Sequence, residues 1–299
     1  MPQYAEIVPW IGDPTVLVSE APVNRFQGGY DKALKDAAGP SNPVLQRLDQ
    51  AFSSLPGAEL SVELEVLHFD SGQDVPTNTS RFLYTGFMGG DGTFDLEQTS
   101  VAKKGGSAFV RTHRRAYDGS LLAYESDGVP VGAIYTSTYA EKVPIWRVEI
   151  LPHLRPLHWW IDNPLHVSRF PEHTFTQKQS EDITVLSKEA TLGGRSYVDS
   201  KLFIDADSFD FPRLIRSQTL NEHGNVIEQV DFDAYAQIGD GVVRPLSFTH
   251  TVFADGLPQG QRIQWNYRIL SAEVLDDIQV DDSCRGIYEG SSTTWDVWL

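Results

Sequence analysis

A chain of 299 residues, 40% hydrophobic and 11% aromatic, has the apolar content for a substantial core and is not a disordered segment. Its 24 Lys and Arg against 41 Asp and Glu leave a net charge of −17, which argues against a nucleic-acid partner and against adsorption to an anionic membrane surface. Cys284 is the single cysteine, so no intrachain disulfide can form, and no run of about 18 apolar residues makes a transmembrane segment.

Residues 1–28 carry Pro2, Pro9, Pro14 and Pro22 with little periodicity, and the opening MPQYAEIVPW lacks a basic-then-apolar leader pattern. Residues 1–40 are therefore expected to form an N-terminal arm with a short helix over 30–38. A stronger helix is predicted over 42–54: Ser41 can cap it, Pro43 suits its first turn, and Val44, Leu45, Leu48 and Phe52 form one stripe. Pro56-Gly57 ends it, and a strand over 59–69 follows, in which Leu60, Val62, Leu64 and Val66 alternate with charged or polar residues.

From there, glycine- and aspartate-rich turns separate runs of strand length: 81–88, 93–100, 108–117, 120–126, 130–136, 182–191, 195–205, 212–221, 225–236, 243–254 and 261–274. Such short spacings mean antiparallel hairpins. The expected sheet is large enough to curl. Residues 140–178 break the pattern with five prolines, and with Trp146, Trp159, Trp160, Phe170 and Phe175. They read as short helices and loops that plug or cover one face. Comparable strand runs on either side leave open a two-domain division near 140–180.

His153, His158, His166 and His173, with Asp162 or Glu172, match no compact metal-ligand spacing, so no metal and no cofactor is assigned. No G-x-S-x-G elbow is present, and Cys284 lies among acids without a nearby histidine, which disfavours a thiolate nucleophile. The balance of motifs leans away from an enzyme. On β alternation Arg111, His113 and Arg115 share one face and Arg114 points to the other. Arg111 and Arg115 read either as polar groups at a cavity rim or as part of a surface ion-pair ladder with Glu97 or Glu125. Trp159-Trp160 reads as a stacking platform for sugar rings, a cap on an apolar pocket, or core filling.

Three stretches together resemble the lipoprotein-carrier superfamily, the LolA/LolB-like fold. They are the helix-to-strand unit NPVLQRLDQAFSSLPGAELSVELEV, the hairpin RRAYDGSLLAYESDG, and the closing run from FDFPRLIRSQTLNEHGNVIEQVDFDAY through GDGVVRPLSFTHTVF to IQWNYRILSAEVLDDIQVDD. The likeness lies in the order of elements over residues 42–288. The chain departs from the family at Leu122-Ala123-Tyr124, where a Trp is typical, at Cys284 or Ile287, where a Phe is expected, and in the extra tail EGSSTTWDVWL.

The resemblance implies an α+β, mainly antiparallel half-barrel of roughly ten to twelve strands with an N-terminal helix and a helical or loop plug. It implies one domain over 41–288, a plug or lid at 140–178 and a tail at 289–299. It further implies a non-catalytic monomer that holds a lipid, a lipidated protein or another apolar ligand in its concavity. Trp146, Trp159, Trp160, Phe170, Phe232, Trp265 and Tyr267 are the expected lining, with Arg111 and Arg115 at the rim. The expected compartment is the periplasm or another exported location, with the signal absent from this chain; the cytoplasm is the alternative. Two other functions stay open: a secreted glycan-active or glycan-binding protein using Trp159 and Trp160, and an interaction domain without a small ligand.

Overall fold

Helix α1 (Pro43–Ala51) forms on the stripe that the sequence predicts, with Leu45, Leu48 and the following Phe52 all but inaccessible to solvent. The structure, a computed structural model, describes residues 43–104, 107–119, 121–135, 154–161, 175–180, 183–192, 194–205, 211–238, 242–253, 260–275, 287 and 294–296. The arm over 1–40, the helix at 30–38, Ser41, Trp146, Phe170 and Cys284 lie outside these residues, as do His153, His166, His173, Asp162 and Glu172.

A first antiparallel meander comprises β1 (Gly57–Phe69), β2 (Asn78–Gly89), β3 (Phe94–Lys104), β4 (Ser107–Tyr117), β5 (Leu121–Ser126) and β6 (Val129–Tyr135). Helix α2 (Arg155–Ile161) follows. A second meander comprises β7 (Phe175–Ser180), β8 (Ile183–Leu192), β9 (Arg195–Asp205), β10 (Arg213–Leu220), β11 (Val226–Ile238), β12 (Val242–Phe253) and β13 (Arg262–Val274). The short β14 (Thr294–Asp296) is added parallel to β6.

Among the described residues, all fourteen strands belong to one sheet in the order β14-β6-β5-β4-β3-β2-β1-β13-β12-β11-β10-β9-β8-β7. The two meanders are joined by the long antiparallel pairing of β1 with β13, from Ala58 opposite Val274 to Phe69 opposite Arg262. Among the described residues the sheet does not close: β14 and β7 are its edges, and the result is a curved half-barrel. It has more strands than the sequence predicts because β7 and β14 are added.

Both helices lie on one face. Leu45, Leu48 and Phe52 pack with Leu186, Leu202, Ile204, Leu214 and Val243 of the second meander. Leu157, Trp160 and Ile161 pack with Leu60, Val62, Met88, Phe94 and Tyr117 of the first. Arg244 ties the two helices together. Its guanidinium donates to the carbonyls of Trp160, of Ile161 at 3.0 Å, and of Ser53 at 2.6 Å. These carbonyls sit at or just past helix C-termini, where unpaired acceptors and the negative end of the dipole favour a cation. The opposite face is polar and carries cross-strand ion pairs such as Arg81–Glu65 at 2.8 Å and Arg268–Glu63 at 2.5 Å.

Candidate functional site

The register of the sheet sorts the helix-covered face into rows that run across the strands. The row nearest the helices, Ala58, Met88, Phe94 and Tyr117, has no exposure. Farther along the strands, another row reads Phe232, Phe248, Tyr267, Leu64, Phe82, Ser100 and Arg111. It crosses seven strands and changes from apolar to cationic at its β3–β4 end. One step beyond it, Trp265, opposite Val66, is only half-buried, as are Val66 and Ser80. Burial therefore falls along the strands from the helices toward the end that carries Trp265 and Val66.

The aromatic part of this surface is ordered by ring contacts. Phe248 stacks on Tyr267 at 4.6 Å, Phe232 meets Phe248 at 6.3 Å, and Trp265 stacks on His250 at 5.2 Å. His250 Nε2 in turn lies 2.7 Å from Glu228. Phe232 and Tyr235, three residues apart, both reach the core because Ala234 (φ 53) interrupts the alternation of β11.

The polar part is built on β4. Arg115 Nη1 donates to Gln98 Oε1 at 2.7 Å, and the same oxygen accepts from the Tyr84 hydroxyl at 3.0 Å. The Tyr124 hydroxyl lies 2.6 Å from His113 Nδ1. Burial, above all, lowers the His113 pKa, helped by the Arg115 and Arg111 charges and opposed by Asp127. Burial, partly offset by Arg115, raises that of Tyr124. Both directions favour a neutral imidazole accepting the phenol proton at Nδ1, which leaves Nε2–H as a donor.

The positions of the sequence-predicted residues are mixed. Phe232, Trp265 and Tyr267 lie on the same face. Trp160 fills the core: it is 1% exposed, and its indole N–H donates to Pro245 O at 2.7 Å. Trp159 lies in α2, and its side chain is outside the described residues. Arg111 is half-buried, and Arg115 is 3% exposed, beneath the surface rather than at a rim. The ion pair of this strand belongs to Arg114, which grips Asp95 with bonds of 2.8 and 2.5 Å between Glu97 and Glu125 in the flanking strands.

Sequence reasoning missed Ser100, Gln98, Tyr84 and Tyr124. Their signal was present, since polar residues at the inward positions of a strand demand partners. A depression of about 480 Å³ lies elsewhere, among the outward residues Glu63, Glu65, Arg81, Asp231, Asp233 and Arg268, with Phe232, Phe248 and Tyr267 between them in the strands. Among the described residues no three His, Cys, Asp or Glu side chains cluster as metal ligands, and no helix is long and apolar enough to cross a membrane.

No family model matches the chain. No curated protein matches it either. Solved structures do. A LolA superfamily protein from Nitrosomonas europaea is 13% identical with a TM-score of 0.41, over 81% of this chain and 96% of its own. A domain described as outer membrane lipoprotein-sorting, from Vibrio parahaemolyticus, is 10% identical with a TM-score of 0.42, over 86% and 98%. A DUF1329 family protein from Desulfovibrio piger is 12% identical with a TM-score of 0.35, over 85% and 94%. The remote resemblance to the LolA/LolB-like fold is one of architecture, and what this face can bind has to follow from its own side chains.

Proposed function

We propose that the protein is a non-catalytic carrier that holds an apolar chain against the concave face of its half-barrel. The observation that supports this is the row Phe232, Phe248, Tyr267, Leu64 and Phe82, flanked on its open side by the half-buried Trp265 and Val66. An acyl chain laid across the strands from Tyr267 to Arg111 crosses four strand spacings, about 19 Å. Each methylene it buries is worth about 0.8 kcal/mol, so one chain suffices for reversible binding without any covalent step.

The test is native mass spectrometry of the freshly purified full chain, followed by displacement of a neutral naphthylamine probe with oleyl alcohol. A copurified lipid or saturable displacement is expected. Val66→Glu places a carboxylate on the open flank of the apolar row and should weaken the alcohol at least about tenfold, about 1.4 kcal/mol. Val101→Glu alters an exposed side chain on the other face and should leave binding unchanged. Absence of saturable binding, or wild-type binding by Val66→Glu, overturns the proposal.

A further inference from the structure

The positive end of the ligand-facing row has a feature that an apolar ligand does not use. Arg111, His113 and Arg115 alternate on β4 and so point the same way. Their cross-strand neighbours are Ser100, Gln98 and Leu96 on β3, and Ser126 and Tyr124 on β5. None of these neighbours is a carboxylate, in a chain of net charge −17. Of the nearby acids, Asp95 is held by Arg114, and Asp127, whose charge reaches His113, accepts from the Thr112 backbone N–H at 2.9 Å.

Among the described residues, three polar atoms here are buried without a hydrogen-bond partner: Ser100 Oγ, Arg111 Nε and Arg115 Nε. Ser100 is 2% exposed and Arg115 3%. Arg111 lies over the Phe109 ring at 5.4 Å and Arg115 over the Tyr124 ring at 5.4 Å. A ring satisfies the face of a guanidinium, but the Nε–H bond lies in its plane and points past the ring. Leaving such a donor unmade inside a protein is costly. An oxyanion is what this arrangement lacks, because it accepts several in-plane N–H bonds at once and offsets the charges of the buried Arg115 and the half-buried Arg111.

We infer that Arg111, Arg115, Ser100 and His113 form a binding site for the oxyanion head, a carboxylate or a phosphate monoester, of the apolar ligand. The inference rests on the carrier reading for the tail and adds the class of head. The row supplies both parts in one line, with apolar side chains from Phe248 to Phe82 and then Ser100 and Arg111. The half-buried Arg111 is the outermost contact, and Arg115, fixed by Gln98, is the inner one.

The test compares oleate, lysophosphatidate, oleyl alcohol and inorganic phosphate on the full chain, with wild type and Arg111→Gln. Oleate, lysophosphatidate or both should bind at least about tenfold more tightly than oleyl alcohol, and Arg111→Gln should remove that preference. The tighter of the two anionic lipids identifies the head. Millimolar phosphate should shift the His113 imidazole resonances in wild type and not in Arg111→Gln, which reads the head site without the tail.

If neither oleate nor lysophosphatidate binds more tightly than oleyl alcohol and phosphate leaves His113 unshifted, the oxyanion site is wrong and the carrier survives. If no lipid binds but phosphate shifts His113, the head site stands and the carrier fails. If no anion binds preferentially or shifts His113, the inference is overturned. Because Arg115 is buried, Arg115→Lys serves as the second variant: it keeps the charge but lacks the in-plane Nε–H, and should lose part of the preference for the anion.

Discussion

Arg244 is a fully buried cation whose guanidinium donates to the backbone oxygens of Trp160, Ile161, Ser53 and its own neighbour Val243. Hydrogen bonds from a charged donor contribute about 1.5–3 kcal/mol each, and the fork geometry of the guanidinium lets one side chain serve two helix ends at once. Arg244→Met would keep the volume and strand three helix-end carbonyls away from water. A loss of about 3–5 kcal/mol is expected. It should read as a lower urea midpoint with an unchanged slope. Arg244→Lys should recover only part, since one ammonium cannot reach both α1 and α2. Full stability in Arg244→Met would mean that the helices dock without this bridge.

At the scale of the element, β2 shows how a strand can be legible while its constraint is not. Gly86 sits in its middle at φ 135, opposite Leu60 on β1 and Leu96 on β3. A Cβ there would lie 2.1 Å from the Asp95 carbonyl oxygen. Gly86→Ala therefore meets a backbone atom that cannot swing aside, in a conformation that L residues avoid. A loss of about 2 kcal/mol or more is expected in thermal or urea unfolding, and a neutral substitution would contradict the close approach. Nothing in the run RFLYTGFMGG distinguishes this glycine from its neighbours, because the contact comes from another strand. The long strands were legible where one face is buried, since alternation then fixes both type and register, as in Leu60 to Val66. β7 was not, because FTQKQS carries no apolar period and pairs only with β8 at the sheet edge. β14, three residues long, has too few positions to show a period. The shared face of Arg111, His113 and Arg115 could be read from alternation. Their burial could not, since it depends on which strands lie beside β4 and on the curvature of the sheet.

For the molecule as a whole, a net charge of −17 surrounds the buried cationic patch, and the two act over different ranges. The outer charge sets a repulsive potential for an approaching anion, and salt screens it as the Debye length falls from about 30 Å at 0.01 M to about 8 Å at 0.15 M. Contacts of a bound head with Arg115 and Ser100 are short and shielded from solvent, so salt weakens them little. Raising ionic strength between those limits should therefore speed the association of oleate severalfold and leave its dissociation nearly constant, so that affinity rises with salt. Oleyl alcohol, carrying no charge, should show neither change. Stopped-flow fluorescence with both ligands, each kept below its aggregation threshold, separates the two rates. An oleate association rate that falls with salt would mean that the anion is drawn in by an exposed positive surface, and the head would then bind outside the concave face.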